Sequence, residues 1–134
     1  MDGKSLKGIP LFADLPPKDL KQVARWMDVV NVSAGNDLLE EGAMPHEFFV
    51  MLEGEADVRH DGELLAHLAS GDFFGEIALV ETNRRTATVT TATPARLAVM
   101  HSRDFAGMRV ALPKVADRIE AAILARMPPG TGVR

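Results

Sequence analysis

The chain has 134 residues, 46% hydrophobic and 25% charged, with no cysteine and a formal net charge of −4. That length suits one domain around one core, and that balance excludes a disordered chain. The acidic balance supplies no global field toward nucleic acid or an anionic membrane, and without thiols there is neither a disulfide framework nor a cysteine nucleophile.

No apolar run approaches the 18 residues of a membrane span, and Met1-Asp2-Gly3-Lys4-Ser5 opens no signal-peptide core. The expectation is a cytoplasmic chain that neither crosses a membrane nor is exported, and the lack of cysteine fits a reducing compartment. Residues 1–28 form an N-terminal helical part. A helix follows Asp14-Leu15-Pro16-Pro17, where prolines are tolerated because first-turn N–H groups have no helical partner. Leu20, Val23, Ala24 and Met27 make its apolar stripe opposite Lys18, Lys21 and Arg25, and Leu11 and Phe12 dock on the same surface. Trp26 reads as a packing residue at the helix end.

From residue 29 to residue 100 the punctuation changes. Gly35, Gly42, Gly54, Gly62 and Gly71 fall seven to twelve residues apart, with short β-rich runs between them, the pattern of an antiparallel β sandwich or roll. Phe48 to Leu52 is continuously apolar and reads as a strand covered on both faces. Ala56 and Val58 alternate with Glu55, Asp57 and Arg59, one face in and one out, and Asp61-Gly62 is a two-residue hairpin turn. After Thr86–Thr91 and Ala95–Met100, two further strands, Ser102 is placed to cap a short helix through Phe105 and Met108. Pro113 opens a last helix with Ala116, Ile119, Ile123 and Met127 on one stripe and Lys114, Asp117, Glu120 and Arg126 off it, giving C-terminal helices over 101–127. Pro128-Pro129-Gly130 stops it, and 128–134 is a tail.

The chemistry concentrates between Phe73 and Val89. Gly75 allows close backbone approach to a ligand, and N–H groups at the start of the short helix-forming run Glu76-Ile77-Ala78-Leu79 present partial positive charge. Arg85, ten residues after Gly75, adds a forked, permanently charged donor suited to phosphate. Glu76 beside those amides repels a phosphate unless it faces hydroxyls, so a ligand with one phosphate and a neighbouring sugar hydroxyl meets both demands. His46, His60, His67 and His101 show neither H-x-H nor H-E-x-x-H spacing, so no metal site is expected. There is no G-x-S-x-G, and the chain is read as not an enzyme.

The 16 residues from Phe74 to Val89, Phe-Gly-Glu-Ile-Ala-Leu followed by Arg85-Thr86-Ala87-Thr88-Val89, resemble the phosphate-binding cassette of cyclic-nucleotide-binding domains, F-G-E-(I/L)-A-L…P-R-x-A-(T/S)-V. One departure is Arg84 where the cassette usually has proline, a wording similar to cyclic-nucleotide-gated channel domains. The resemblance implies a mainly β fold with flanking helices: an antiparallel, jelly-roll-like β roll with an N-terminal helix, a short cassette helix and two C-terminal helices. It implies that Gly75, Ile77, Ala78, Arg85 and Thr86 hold the phosphate of cAMP or cGMP and that Glu76 binds the ribose 2′-hydroxyl. It further implies an apolar base surface at Val58, Ala66 and Ala87, with Arg126 as a lid over the base and Arg118 its competitor. No cofactor is implied beyond that ligand, and this chain itself is expected to contact neither nucleic acid nor membrane. The expected function is a sensor whose occupancy moves its C-terminal helix, as a homodimer or with an attached effector. Alternatives are the sensor half of a Crp/Fnr-type transcription regulator without its DNA-reading part, a channel gating domain, a cupin-like enzyme, or a ligand-free interaction module.

Overall fold

The computed structural model describes residues 1–79 and 85–125. Its helices are α1 (Pro17–Ala24), α2 (Ser102–Ala111) and α3 (Pro113–Ala125). Its strands are β1 (Asp28–Val32), β2 (Asp37–Leu39), β3 (Glu47–Glu53), β4 (Ala56–His60), β5 (Glu63–Leu68), β6 (Phe73–Phe74), β7 (Thr88–Thr91) and β8 (Ala95–His101). All recorded pairings are antiparallel, in two four-stranded sheets ordered β1-β8-β3-β6 and β2-β7-β4-β5. This is the mainly β roll with helical flanks that the sequence pattern and the resemblance imply.

Strand parity divides the interior in two. In β3, Phe48 and Val50 face a cluster built with Leu6, Phe12, Val23, Phe105, Met108 and Ile119 from the helical parts. The intervening Phe49 and Met51 face the space between the sheets, with Phe74, Val58, Val89 and Leu97. A continuously apolar strand is therefore covered twice, by helices outside and by the opposite sheet inside. β8 repeats the scheme, with Ala98 and Met100 outward and Leu97 and Val99 inward. The Phe49 and Phe74 rings stack at 4.9 Å, fixing β6 and the start of the cassette against β3.

The local expectations meet specific outcomes. Asp61 and Gly62 both take positive φ, +49° and +80°, joining β4 to β5 through the expected two-residue turn. Leu11, Phe12, Leu20, Val23, Ala24 and Met27 are buried, and the Trp26 ring lies where a Cβ on Gly107 would meet it at 3.0 Å. The short cassette helix is a single 3-10 turn over Glu76–Leu79, closed by an Ala78 N–H to Gly75 carbonyl bond of 3.1 Å. Two details differ. The strand after the cassette starts at Thr88, not Thr86, because the backbone of Arg85 pairs with the turn at Gly42 and Ala43. Ser102 is the first residue of α2 rather than its cap; the Asp104 carboxylate accepts from the His101 N–H at 3.3 Å. Arg84, Arg126, Met127 and the tail lie outside the described residues.

Candidate functional site

Arg85 is buried, at 4% exposure, among residues whose surroundings usually exclude charge. Its backbone is pinned to the turn after β2: the Arg85 N–H donates to the Ala43 carbonyl at 2.8 Å, and the Gly42 N–H donates to the Arg85 carbonyl at 2.9 Å. Its guanidinium crosses to the start of β3 and to the glycine that opens the cassette turn. One nitrogen donates to the Glu47 carbonyl at 2.5 Å, at the start of β3, and the other to the Gly75 carbonyl at 3.4 Å. Among the described residues this guanidinium has no carboxylate within 4 Å, and the partners it meets there are carbonyl dipoles. Burial pushes the Arg85 pKa below the ordinary arginine value, and the negative charges of Glu47 and Glu76 partly oppose that.

Gly75 is what permits this closeness. It holds φ of +76°, and a Cβ there would lie 2.8 Å from the Glu47 carbonyl oxygen and 3.2 Å from the Arg85 guanidinium. Ile77 and Ala78 are buried, and the Ala78 N–H is engaged by Gly75 within the turn. Glu76 is half-buried at the turn's first position. The structure therefore brings Gly75, Glu76, Ile77, Ala78 and Arg85 together.

Thr86 is exposed, and its carbonyl accepts from His60 Nδ1 at 2.8 Å. Val58 and Ala66 are register partners across β4 and β5, and Val58 also pairs with Val89. Val58 is fully buried while Ala66 is exposed, so the inner face of the second sheet opens toward β5; Ala87 is buried on the same side of the roll. Arg118 faces Asp19 at 4.0 Å, a link between α3 and α1, while Arg126 falls outside the described residues.

Sequence reading missed three participants: the Glu47 carbonyl, the Gly42–Ala43 turn and His60. Backbone partners leave no trace in residue identity, and histidine spacing tests only for metal ligands. Folding does gather Glu41, His60 and Asp61, with one ligand atom each inside 4.8 Å; His60 Nδ1 contacts the Thr86 carbonyl, His60 Nε2 faces the Asp61 carboxylate at 3.3 Å, and the Asp61 N–H donates to Glu41 at 3.0 Å.

A two-sheet antiparallel roll with helical flanks, carrying a glycine-opened turn beside a buried arginine, defines a β-roll domain. A family model for the cyclic nucleotide-binding domain matches residues 29–110, and the chain belongs to that family. It is 35% identical over 101 residues to a cAMP-dependent protein kinase regulatory subunit of Eremothecium gossypii, covering 75% of this chain and 22% of that protein. It is 32% identical over 118 residues to a cyclic nucleotide-gated potassium channel of Mesorhizobium japonicum, covering 88% and 33%. Among solved structures it is similar to the N-terminal domain of a transcriptional regulator from Streptomyces coelicolor, at a TM-score of 0.81 and 27% identity over 94% of this chain and 92% of that one. The chain thus spans a fifth to a third of the length of these curated relatives. No helix among the described residues is long and apolar enough to cross a membrane.

Proposed function

We propose that this chain is a regulatory, non-catalytic sensor module that binds a cyclic nucleotide, cAMP foremost and cGMP as the second ligand. The observation that carries this is the buried Arg85 guanidinium, which among the described residues donates to the backbone carbonyls of Glu47 and Gly75. A phosphate arriving there exchanges carbonyl dipoles for a full negative charge, which strengthens the bonds. In this reading the cyclic phosphate sits against Arg85, Thr86 and the turn Gly75-Glu76-Ile77-Ala78. The Glu76 carboxylate turns to the ribose hydroxyl, and the base lies along Val58, Ala66 and Ala87.

Occupancy reaches the C-terminal helices through the same turn. Leu79 packs against the cluster holding Phe105, Met108 and Ile119, so the cassette turn and the helices share one apolar contact. Ligand shifts the helices to the extent that it favours one arrangement of that turn; Arg126 is the candidate for a direct touch on the base. The relatives named above, a kinase regulatory subunit and a gated channel, support an attached effector part. The high mutual coverage with an isolated N-terminal domain of a transcriptional regulator favours a second reading, the sensor half of such a regulator.

Thermal unfolding with cAMP, cGMP and 5′-AMP in parallel tests the assignment. Ligand at a hundredfold over its dissociation constant stabilises by about 2.7 kcal/mol, which in a domain of this size moves the midpoint by several degrees. A shift with a cyclic species and little with 5′-AMP is expected; no shift with either cyclic species refutes the reading.

A further inference from the structure

Two unexplained surfaces elsewhere in the fold complement each other. The first is a cleft of about 490 Å³ between the N-terminal segment and α1, floored by Pro17 and Leu20 and rimmed by Lys4, Lys7, Lys21 and Arg25. Among the described residues none of these four cations has a carboxylate within 4 Å, although the chain as a whole is acidic. Asp2 also lines the cleft, with its carboxylate accepting from the Ser5 N–H at 3.3 Å. The wall is firmly seated: a Cβ on Gly3 would stand 2.8 Å from the Lys21 backbone nitrogen.

The second surface is the tip of the β4–β5 hairpin. Leu64 and Leu65 are 55% and 58% exposed, at a register shift in an edge strand, and acidic Asp61 and Glu63 precede them. Edge strands with exposed apolar side chains are natural sites of contact with another chain.

We propose that the cleft seats the hairpin tip of a second copy of this chain, with Leu64 and Leu65 over Pro17 and Leu20 and with Asp61 and Glu63 among the four cations. Each copy offers one tip and one cleft on different surfaces, so the contact is heterologous and association runs head to tail. The area is small, so the association is weak and depends on concentration. Its charged part makes it sensitive to salt, since the screening length falls from roughly 30 Å at 0.01 M to roughly 3 Å at 1 M. The inference is independent of nucleotide binding.

Sedimentation equilibrium of the whole chain, across a concentration series at low and high salt, tests it. Mass is expected to rise with concentration at low salt and to return to the monomer at high salt. A hairpin variant, Leu64→Ser with Leu65→Ser, and a cleft variant, Lys21→Glu with Arg25→Glu, are each expected to stay monomeric. Their equimolar mixture should form a dimer that grows no further, because only one intact tip and one intact cleft meet. Glu63→Lys, an exposed change that leaves both leucines, should weaken self-association several-fold and guards against a hairpin variant that fails to fold. A wild-type chain that is monomeric throughout, a mixture that stays monomeric, or a salt-insensitive symmetric dimer overturns the proposal. So does a cleft that binds laurate while the chain remains monomeric, which would give the cleft to a small anionic amphiphile.

Discussion

Replacing Arg85 with alanine separates what this residue does for the fold from what it does for the ligand. In the structure its guanidinium satisfies the Glu47 and Gly75 carbonyls, while its own burial depresses its pKa, so the residue both contributes bonds and carries a desolvation cost. Those terms oppose each other on removal, and the net loss of stability should be on the order of 1–2 kcal/mol, small enough to leave a folded protein. For the ligand no such offset exists. The charge-assisted bonds to phosphate vanish, costing about 1.5–3 kcal/mol, or about 10- to 150-fold in the dissociation constant for cAMP. Arg85→Lys keeps the charge but not the fork, and should fall between the variant and the wild type. Isothermal calorimetry, with circular dichroism to confirm folding, measures both effects. A folded Arg85→Ala chain that binds cAMP with unchanged affinity refutes the assignment of the phosphate to this arginine.

Gly75→Ala meets two penalties, a positive φ and a Cβ 2.8 Å from the Glu47 carbonyl oxygen. Chemical denaturation should show a loss of about 1–3 kcal/mol, and calorimetry should show weaker cAMP binding, since the same carbonyl holds Arg85. At the far side of the second sheet, His67 Nδ1 and Nε2 lie 2.8 and 3.0 Å from Asp57 and Glu55 carboxylate oxygens. Hydrogen bonds to Asp57 first and Glu55 second raise its pKa above 6.5. A raised folded-state pKa means that this stabilisation is complete below the unfolded value and is lost as the pH climbs through the folded one. An NMR titration should place His67 above the ordinary histidine value and Asp57→Asn should bring it down; a wild-type His67 at or below that value contradicts the pairing.

How far the residues announced this structure depends on what each feature is made of. The doubly covered strand was legible because Phe48 to Leu52 has no polar break, and the hairpin because Asp61-Gly62 suits positive φ at both turn positions. The cassette was legible as a linear run whose glycine and arginine have separate, nameable chemistry. The 3-10 form of its turn was not, since α and 3-10 starts share the same residue preferences and differ only in which carbonyl the Ala78 N–H reaches. Nor was the seating of Arg85. Its partners are the backbones of Glu47 and Gly75, brought near by the β3–β6 pairing and the β2–β3 turn, and main-chain groups are identical at every position. The place of His60 was illegible for a related reason: its Nδ1 partner is the carbonyl of Thr86, 26 residues away.

A crystal structure of the chain grown with cAMP tests the central claim most directly, because it shows what the Arg85 guanidinium holds. The account predicts the cyclic phosphate within hydrogen-bonding distance of that guanidinium and of the turn at Gly75, with the Glu76 carboxylate on the ribose hydroxyl. A nucleotide seated elsewhere, or an Arg85 still bound to the Glu47 and Gly75 carbonyls with no nucleotide against it, contradicts it.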